Sequence, residues 1–264
     1  MSSKHSLTVL IVGATGSIGR LVVAEAVRQG HAVRALVRSA GKAARLPTNV
    51  ETVIGDVTRP ETLTAAVEGV DAVVLTLGSE GAGKAGAEKV DYGGVRNILL
   101  ELGSRPARIA LMTAIGVTNR TGDYNRRTEA HDWKRRAERL VRASGRPYTI
   151  VRPGWFDYNA ADEQRIVMLQ GDTRQAGDAS DGAIARAQIA RVLVESLTSP
   201  AAENKTFELV AEQGDAQPDL DPVFAGLDRD APNALDAVRD VDNQPLNDEP
   251  QRVRDDLDGG LPKR

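Results

Sequence analysis

The 264-residue chain has no cysteine, three histidines and few aromatic residues: two Trp, four Tyr and three Phe. Without thiols it can form no disulfide, no thiolate metal site and no cysteine nucleophile, a composition that suits a reducing cytoplasm. His5, His31 and His131 stand at no ligand spacing from one another, so no metal is expected. Long apolar runs are also missing. Residues 1–6 are short and polar, and the run at 7–12 meets a glycine after six residues, too short for a signal-peptide core or a membrane span. Nor is there a dense Lys/Arg stripe with interleaved aromatics, which argues against a nucleic-acid partner.

What is present divides unevenly. Residues 1–211 carry 28 Lys and Arg against 23 Asp and Glu, while 212–264 carry 6 against 14, a mildly basic body and an acidic tail. In the body, apolar β-rich runs at 7–12, 32–37, 50–54, 72–75, 108–112 and 148–151 alternate with helical patterns at 18–29, 60–67, 88–102 and 128–143. Continuous apolar strands separated by helices predict an α/β fold, a doubly wound parallel sheet covered on both faces. After 152 the alternation loosens into a strand at 165–169, a helix at 183–198 and a strand at 206–210, a small C-terminal substrate lobe. The expected division is a core at 1–153, the lobe at 154–211 and a loosely packed acidic tail at 212–264.

The first strand runs into Gly13, Thr15, Gly16, Ser17, Ile18 and Gly19, and a helix follows. Glycines are needed where a tight turn brings backbone close to a pyrophosphate and packs the helix on the strand; the helix N-terminus supplies free N–H groups and a positive dipole end. That placement predicts a Rossmann-type dinucleotide site. At the end of the second strand, where an NAD-binding domain places an acid against the ribose hydroxyls, stands Arg38, followed by Ser39. An arginine there pairs with the 2′-phosphate of NADP(H), unless it is simply a solvated strand end. Asp56, with Val57 beside it after the third strand, either accepts from the adenine amino group or closes a turn.

These segments carry a resemblance. VGATGSIG at 12–19, ALVR at 35–38, GDV at 55–57, DAVVL at 71–75, VDYGGVRN at 90–97, YTIVRPG at 148–154 and AIARAQIAR at 183–191 are similar to the atypical short-chain dehydrogenase/reductases of the NAD(P)H-binding, NmrA-like group. The resemblance spans roughly 7–210 and implies that the loop with Leu77 and Gly78 runs beside the cofactor, with Pro153 and Gly154 near the nicotinamide. Members reduce flavins, bilins and quinone-like or enone substrates, and others bind NADP(H) as redox sensors without turnover. Fold and cofactor therefore leave two functions standing, an NADPH-dependent oxidoreductase acting on a small conjugated or carbonyl substrate, and a non-catalytic sensor that regulates a partner protein.

The catalytic pattern of short-chain dehydrogenases is incomplete. Thr113 occupies the position of the family's hydroxyl, but the Tyr and Lys four residues apart are absent: four residues before Lys134 is Ala130, and four after Tyr124 is Thr128. Lys134 can hold cofactor ribose, or belong to a solvated face with Arg135, Arg136, Arg139 and Arg142. Tyr124 and Arg126 lie in a polar loop that can meet an anionic substrate. Trp155, Phe156 and Tyr158, three of the few aromatics, fall together after Pro153 and Gly154 and form either a flat wall beside the nicotinamide or a core plug. Lacking a positioned acid, the site suits conjugated acceptors that can take their proton from water. A monomer or homodimer is expected.

Overall fold

The computed structural model describes residues 6–79 and 81–260, so His5 lies outside the described residues. Among the described residues ten strands form where apolar runs meet turn residues: β1 Thr8–Val12, β2 Ala32–Val37, β3 Glu51–Ile54, β4 Ala72–Leu75, β5 Arg108–Met112, β6 Tyr148–Pro153, β7 Trp155–Phe156, β8 Arg165–Leu169, β9 Ala183–Ile184 and β10 Lys205–Glu212. Eight of them make one sheet in the order β3-β2-β1-β4-β5-β6-β10-β8. All neighbours are parallel except β8, which runs antiparallel along β10 and closes that edge. The doubly wound fold is therefore present, and two strands expected in a separate lobe extend its sheet. The short β7 and β9 pair with each other.

The helices are α1 Gly19–Arg28, α2 Ala40–Ala43, α3 Thr64–Val67, α4 Gly83–Gly86, α5 Gly93–Leu102, α6 Asp123–Thr128, α7 Ala130–Ala143, α8 Arg186–Glu195, α9 Asp221–Ala225 and α10 Gln251–Asp255. Alternation along the strands sends Val9, Ile11, Val33, Ala35 and Val74 to a core with Val22, Val23 and Ala26 of α1 and Ile189 and Leu193 of α8. Leu10, Val12, Leu36, Val73 and Leu75 face the other way, onto Ile98 and Leu99 of α5 and Trp133, Leu140 and Val141 of α7. Two predicted helices start differently. The 88–102 pattern opens with a π-helical segment, Ala87–Tyr92, before α5. The 183–198 pattern loses its first residues to β9, which pairs with β7.

The larger correction concerns the tail. Rather than lying loose, it buries Leu220, Phe224, Ala237 and Val253, and the Phe224 ring packs 6.0 Å from that of Phe207. Its carboxylates meet the α7 cations that the sequence suggested were solvated. Asp236 pairs with Arg135 and Arg139, Glu249 with Arg136 and Arg139, and Asp230 with Arg142, at 2.6–3.2 Å. Asp240 reaches Arg152 of β6 at 2.7 Å, both side chains fully buried. The weak apolar periodicity of 212–264 was misleading because charge pairing, rather than an apolar stripe, carries most of this docking.

Candidate functional site

The carboxyl ends of β1, β4, β5 and β6 open into a cavity of about 660 Å³. Its floor is the glycine loop. Gly13 turns at φ +89°, and a Cβ there would sit 2.8 Å from both the carbonyl and hydroxyl oxygens of Thr76. A Cβ at Gly19 would sit 2.1 Å from the Gly13 carbonyl oxygen, so α1 can pack this closely only because both positions are glycine. No side chain caps the N-terminus of α1. Gly16, Ser17 and Ile18 line the cavity there, a cradle of backbone and helix dipole that fits the pyrophosphate of a dinucleotide.

Around this floor stand Leu77, Gly78 and Ser79 after β4, Thr113 after β5, Lys134 of α7, Tyr124 of α6, and Pro153, Gly154, Trp155 and Phe156 at and after the end of β6. Most of the residues singled out in the sequence thus converge on one space. Thr15 is half-buried within the loop. Arg38 and Ser39 are exposed at the end of β2, with Asp56 and Val57 beyond β3, and none of the four lines the cavity. Asp56 accepts from both the backbone N–H and the hydroxyl of Thr58 at 2.9 Å, so the turn-closing role is realised. Burial pushes the Asp56 carboxyl up, but these bonds and the field of Arg38 hold it below its ordinary value.

The expectations for Thr113, Arg126 and Tyr158 need correction, and one of the two readings of Lys134 falls away. The Thr113 hydroxyl donates to Glu138 Oε1 at 2.8 Å, so its proton points into the core and not to a substrate. Burial pushes Glu138 up, yet the guanidinium groups of Arg152 and Arg142 outweigh this and hold its carboxyl at about 2. Lys134 is no solvated cation: its ammonium donates to Asp91 Oδ1 at 2.7 Å, and the Ser79 hydroxyl donates to the same carboxylate. Arg126 pairs with Asp123 and the Thr121 carbonyl outside the cavity, while its neighbour Arg127 lines it. Tyr158 stands apart, 69% exposed, with its ring edge against Trp155.

Sequence reasoning passed over several residues that shape the cavity. Asp91 lay in plain view within the 90–97 motif, on what proves to be the π-helical turn that aims it at Lys134. His131, Asn119 and Gln175 also line the cavity. Asp172, itself left-handed at φ 49°, accepts from the N–H of Gly116 and the N–H and hydroxyl of Thr118 at 2.6–2.8 Å and so fixes the loop after β5. No local pattern announces such a contact across more than fifty residues.

Comparison with known proteins agrees with this geometry. Residues 13–200 match a family model described as NAD(P)H-binding. The chain is 28% identical to sanguinarine reductase of Eschscholzia californica, over 84% of this chain and 97% of that protein. It is also 28% identical to the photosystem II assembly factor Ycf39 of Synechocystis, over 78% of this chain but only 63% of that longer protein. A Bacillus halodurans protein described as an NAD-dependent epimerase/dehydratase superposes with a TM-score of 0.70 at 24% identity, covering 84% of this chain and all of the other.

Proposed function

The chain belongs to the NAD(P)H-binding family and is an oxidoreductase of that kind; we propose that it takes NADPH and reduces a small, flat, conjugated acceptor. The observation that carries this reading is Trp155, which lines the cavity 38% exposed instead of filling the core, directly after Pro153 and Gly154. A planar π system laid against it is aligned by stacking and by the walls, and positioning of this kind supplies several kcal/mol of barrier reduction.

When bound, NADPH supplies the hydride. The backbone N–H groups of 16–18 hold the pyrophosphate, and Arg38 pairs with the 2′-phosphate. Lys134, steadied by Asp91, donates to the nicotinamide ribose. With Thr113 committed to Glu138 and no Tyr–Lys pair, acceptors that spread the incoming electron pair over a conjugated system are favoured over simple aldehydes. We place residues 154–211, with their short β7–β9 ribbon, as the substrate lobe.

Following NADPH oxidation against flavins, quinones, enones and aldehydes tests the reading. Quinones or enones should turn over well ahead of aldehydes, and Trp155→Ala should lower that turnover about tenfold with NADPH affinity little changed. The committed Thr113 hydroxyl also favours a second reading, a sensor of NADP(H) without turnover, and tight NADPH binding with no oxidation by any acceptor would establish it instead.

A further inference from the structure

On the cavity wall, one group left out of the reading above combines proton chemistry with access to the cavity. His131 lies at the start of α7 and lines the cavity one helical turn before Lys134. Its ring stacks at a tilt on Tyr124, centroids 5.1 Å apart. Its Nδ1 is buried, and the ring lies on the cavity wall with the Asn119 carbonyl beside it. Gly116, at φ +80°, has its Cα hydrogens where a Cβ would come within 3.5 Å of the imidazole Cε1, so the loop after β5 lies flush against the ring.

We propose that His131 is a catalytic residue: its Nε2 holds the oxygen of the acceptor and delivers the proton that completes the reduction. The proposal rests on the reductase reading and gives the site an acid in place of the missing Tyr–Lys pair. Hydride from the reduced nicotinamide forms the new C–H bond, and the electron pair displaced from the conjugated system collects on the acceptor oxygen. The Nε2–H bond then breaks as the O–H bond forms, and the neutral imidazole regains its proton from water. The ligand class this selects is a planar acceptor bearing a carbonyl or quinone oxygen at one edge, its face toward Trp155 and its oxygen toward His131.

The charged and titratable groups around the imidazole are few. Burial pushes its pKa down; Asp172 beyond β8 opposes this, Lys134 adds to it, and Asp132 and the Asn119 carbonyl oppose it. Tyr124 and Arg127 face the same space from α6, and Asp181 faces it from the loop before β9, its carboxylate taken up by the N–H groups of Ala176 and Gly177. An imidazolium with a lowered pKa is a stronger acid, and its protonated fraction falls as pH rises.

The test uses the full chain. His131→Gln and, as a second variant of different shape, His131→Phe should bind NADPH as the parent does and melt within a few degrees of it, yet reduce a quinone or enone about a hundredfold more slowly. The parent rate should fall as pH rises through the lowered imidazole pKa, and that of His131→Gln should not. Independently of turnover, adding a phenol as an unreactive mimic of the reduced acceptor to cofactor-free protein should displace the ¹⁵N resonance of His131 Nε2. Absence of that displacement, or variants within twofold of the parent, overturns the proposal. A displaced resonance in a protein that oxidises no NADPH would retain the Nε2 contact while overturning both the proton step and the reductase reading.

Discussion

Between β1 and α1 the chain turns on bare backbone, with Gly13 and Gly19 packed so closely that a methyl group has no room. From Asp230 to Asp256 it is held by the opposite means, carboxylates reaching into the arginines of α5, α7 and β6. The first region is specified by which atoms are missing and works within a dozen residues. The second is specified by charge and works across about a hundred, because neither the tail nor the face of α7 is apolar enough to bury itself without the other.

The comparison breaks most severely if the tail is dispensable. Deleting 213–264 leaves Arg135, Arg136, Arg139 and Arg142 of α7 and Arg152 of β6 with their burial intact in part and most of their anions gone. Removing one partner of a buried pair costs about 3–5 kcal/mol, and a domain of this size has only about 5–15 kcal/mol in total. The truncated chain should therefore show no cooperative thermal transition by circular dichroism. A melt close to that of the full chain would mean that the arginines simply turn to solvent and the interface is ornamental.

The same contrast explains what could be read in the residues alone. The glycine loop, the alternating apolar strands and the aromatic cluster at 155–158 are local patterns with one steric or packing cause each, and they led directly to the sheet and to most of the cavity wall. The arginines that hold the tail carboxylates, the N–H groups that Asp172 caps and the lysine that meets Asp91 stand 43 or more residues away, and an aspartate bears no mark of which arginine, lysine or N–H it will meet. The solvated reading of the α7 cations, one of the two left open, fails for a related reason: charge on a helix face reads as solvated until a second charged segment covers it. Thr113 was found by position, but its hydroxyl direction is set by Glu138, one helix away.

A smaller effect sharpens the contrast from the loop side. Arg38 is exposed, and its place at the end of β2 suits a 2′-phosphate, so Arg38→Glu should leave the melting temperature nearly unchanged. It should weaken NADPH binding about a hundredfold, or ~2.7 kcal/mol, by exchanging a charge-assisted pair for repulsion, and titration calorimetry with NADPH and NADH measures it. Equal affinities of the parent protein for the two cofactors would remove Arg38 from the site. Stability lost along with affinity would show that the two regions are not separable.

The tail also reaches the cavity, through the loop after β5, and the smallest predicted effect lies there. Arg152 binds Asp240 of the tail on one side and Glu208 of β10 on the other, and Glu208 in turn accepts from the N–H of Asp172, whose carboxylate fixes the cavity loop at Gly116 and Thr118. Burial pushes the Glu208 carboxyl up to about 7, more than Arg152 pulls it down, with Asp172 adding to the rise. Because this folded value lies above the ordinary 4.5, the folded protein holds a proton there that the unfolded chain has released; the stabilisation is complete below 4.5 and is lost as pH rises through 7. Glu138, held at about 2 on the other edge of the same guanidinium, has the opposite sign and loses its contribution only as pH falls toward that value. Between pH 5 and pH 8 only Glu208 of these two gives a slope. Glu208→Gln does not titrate, so relative to the parent it should gain about 1–3 kcal/mol over that interval, read as a difference in urea midpoints at the two pH values. Parallel stability curves would mean that Glu208 is already ionised at pH 5, and that Arg152 satisfies both the tail and the cavity loop with charge alone.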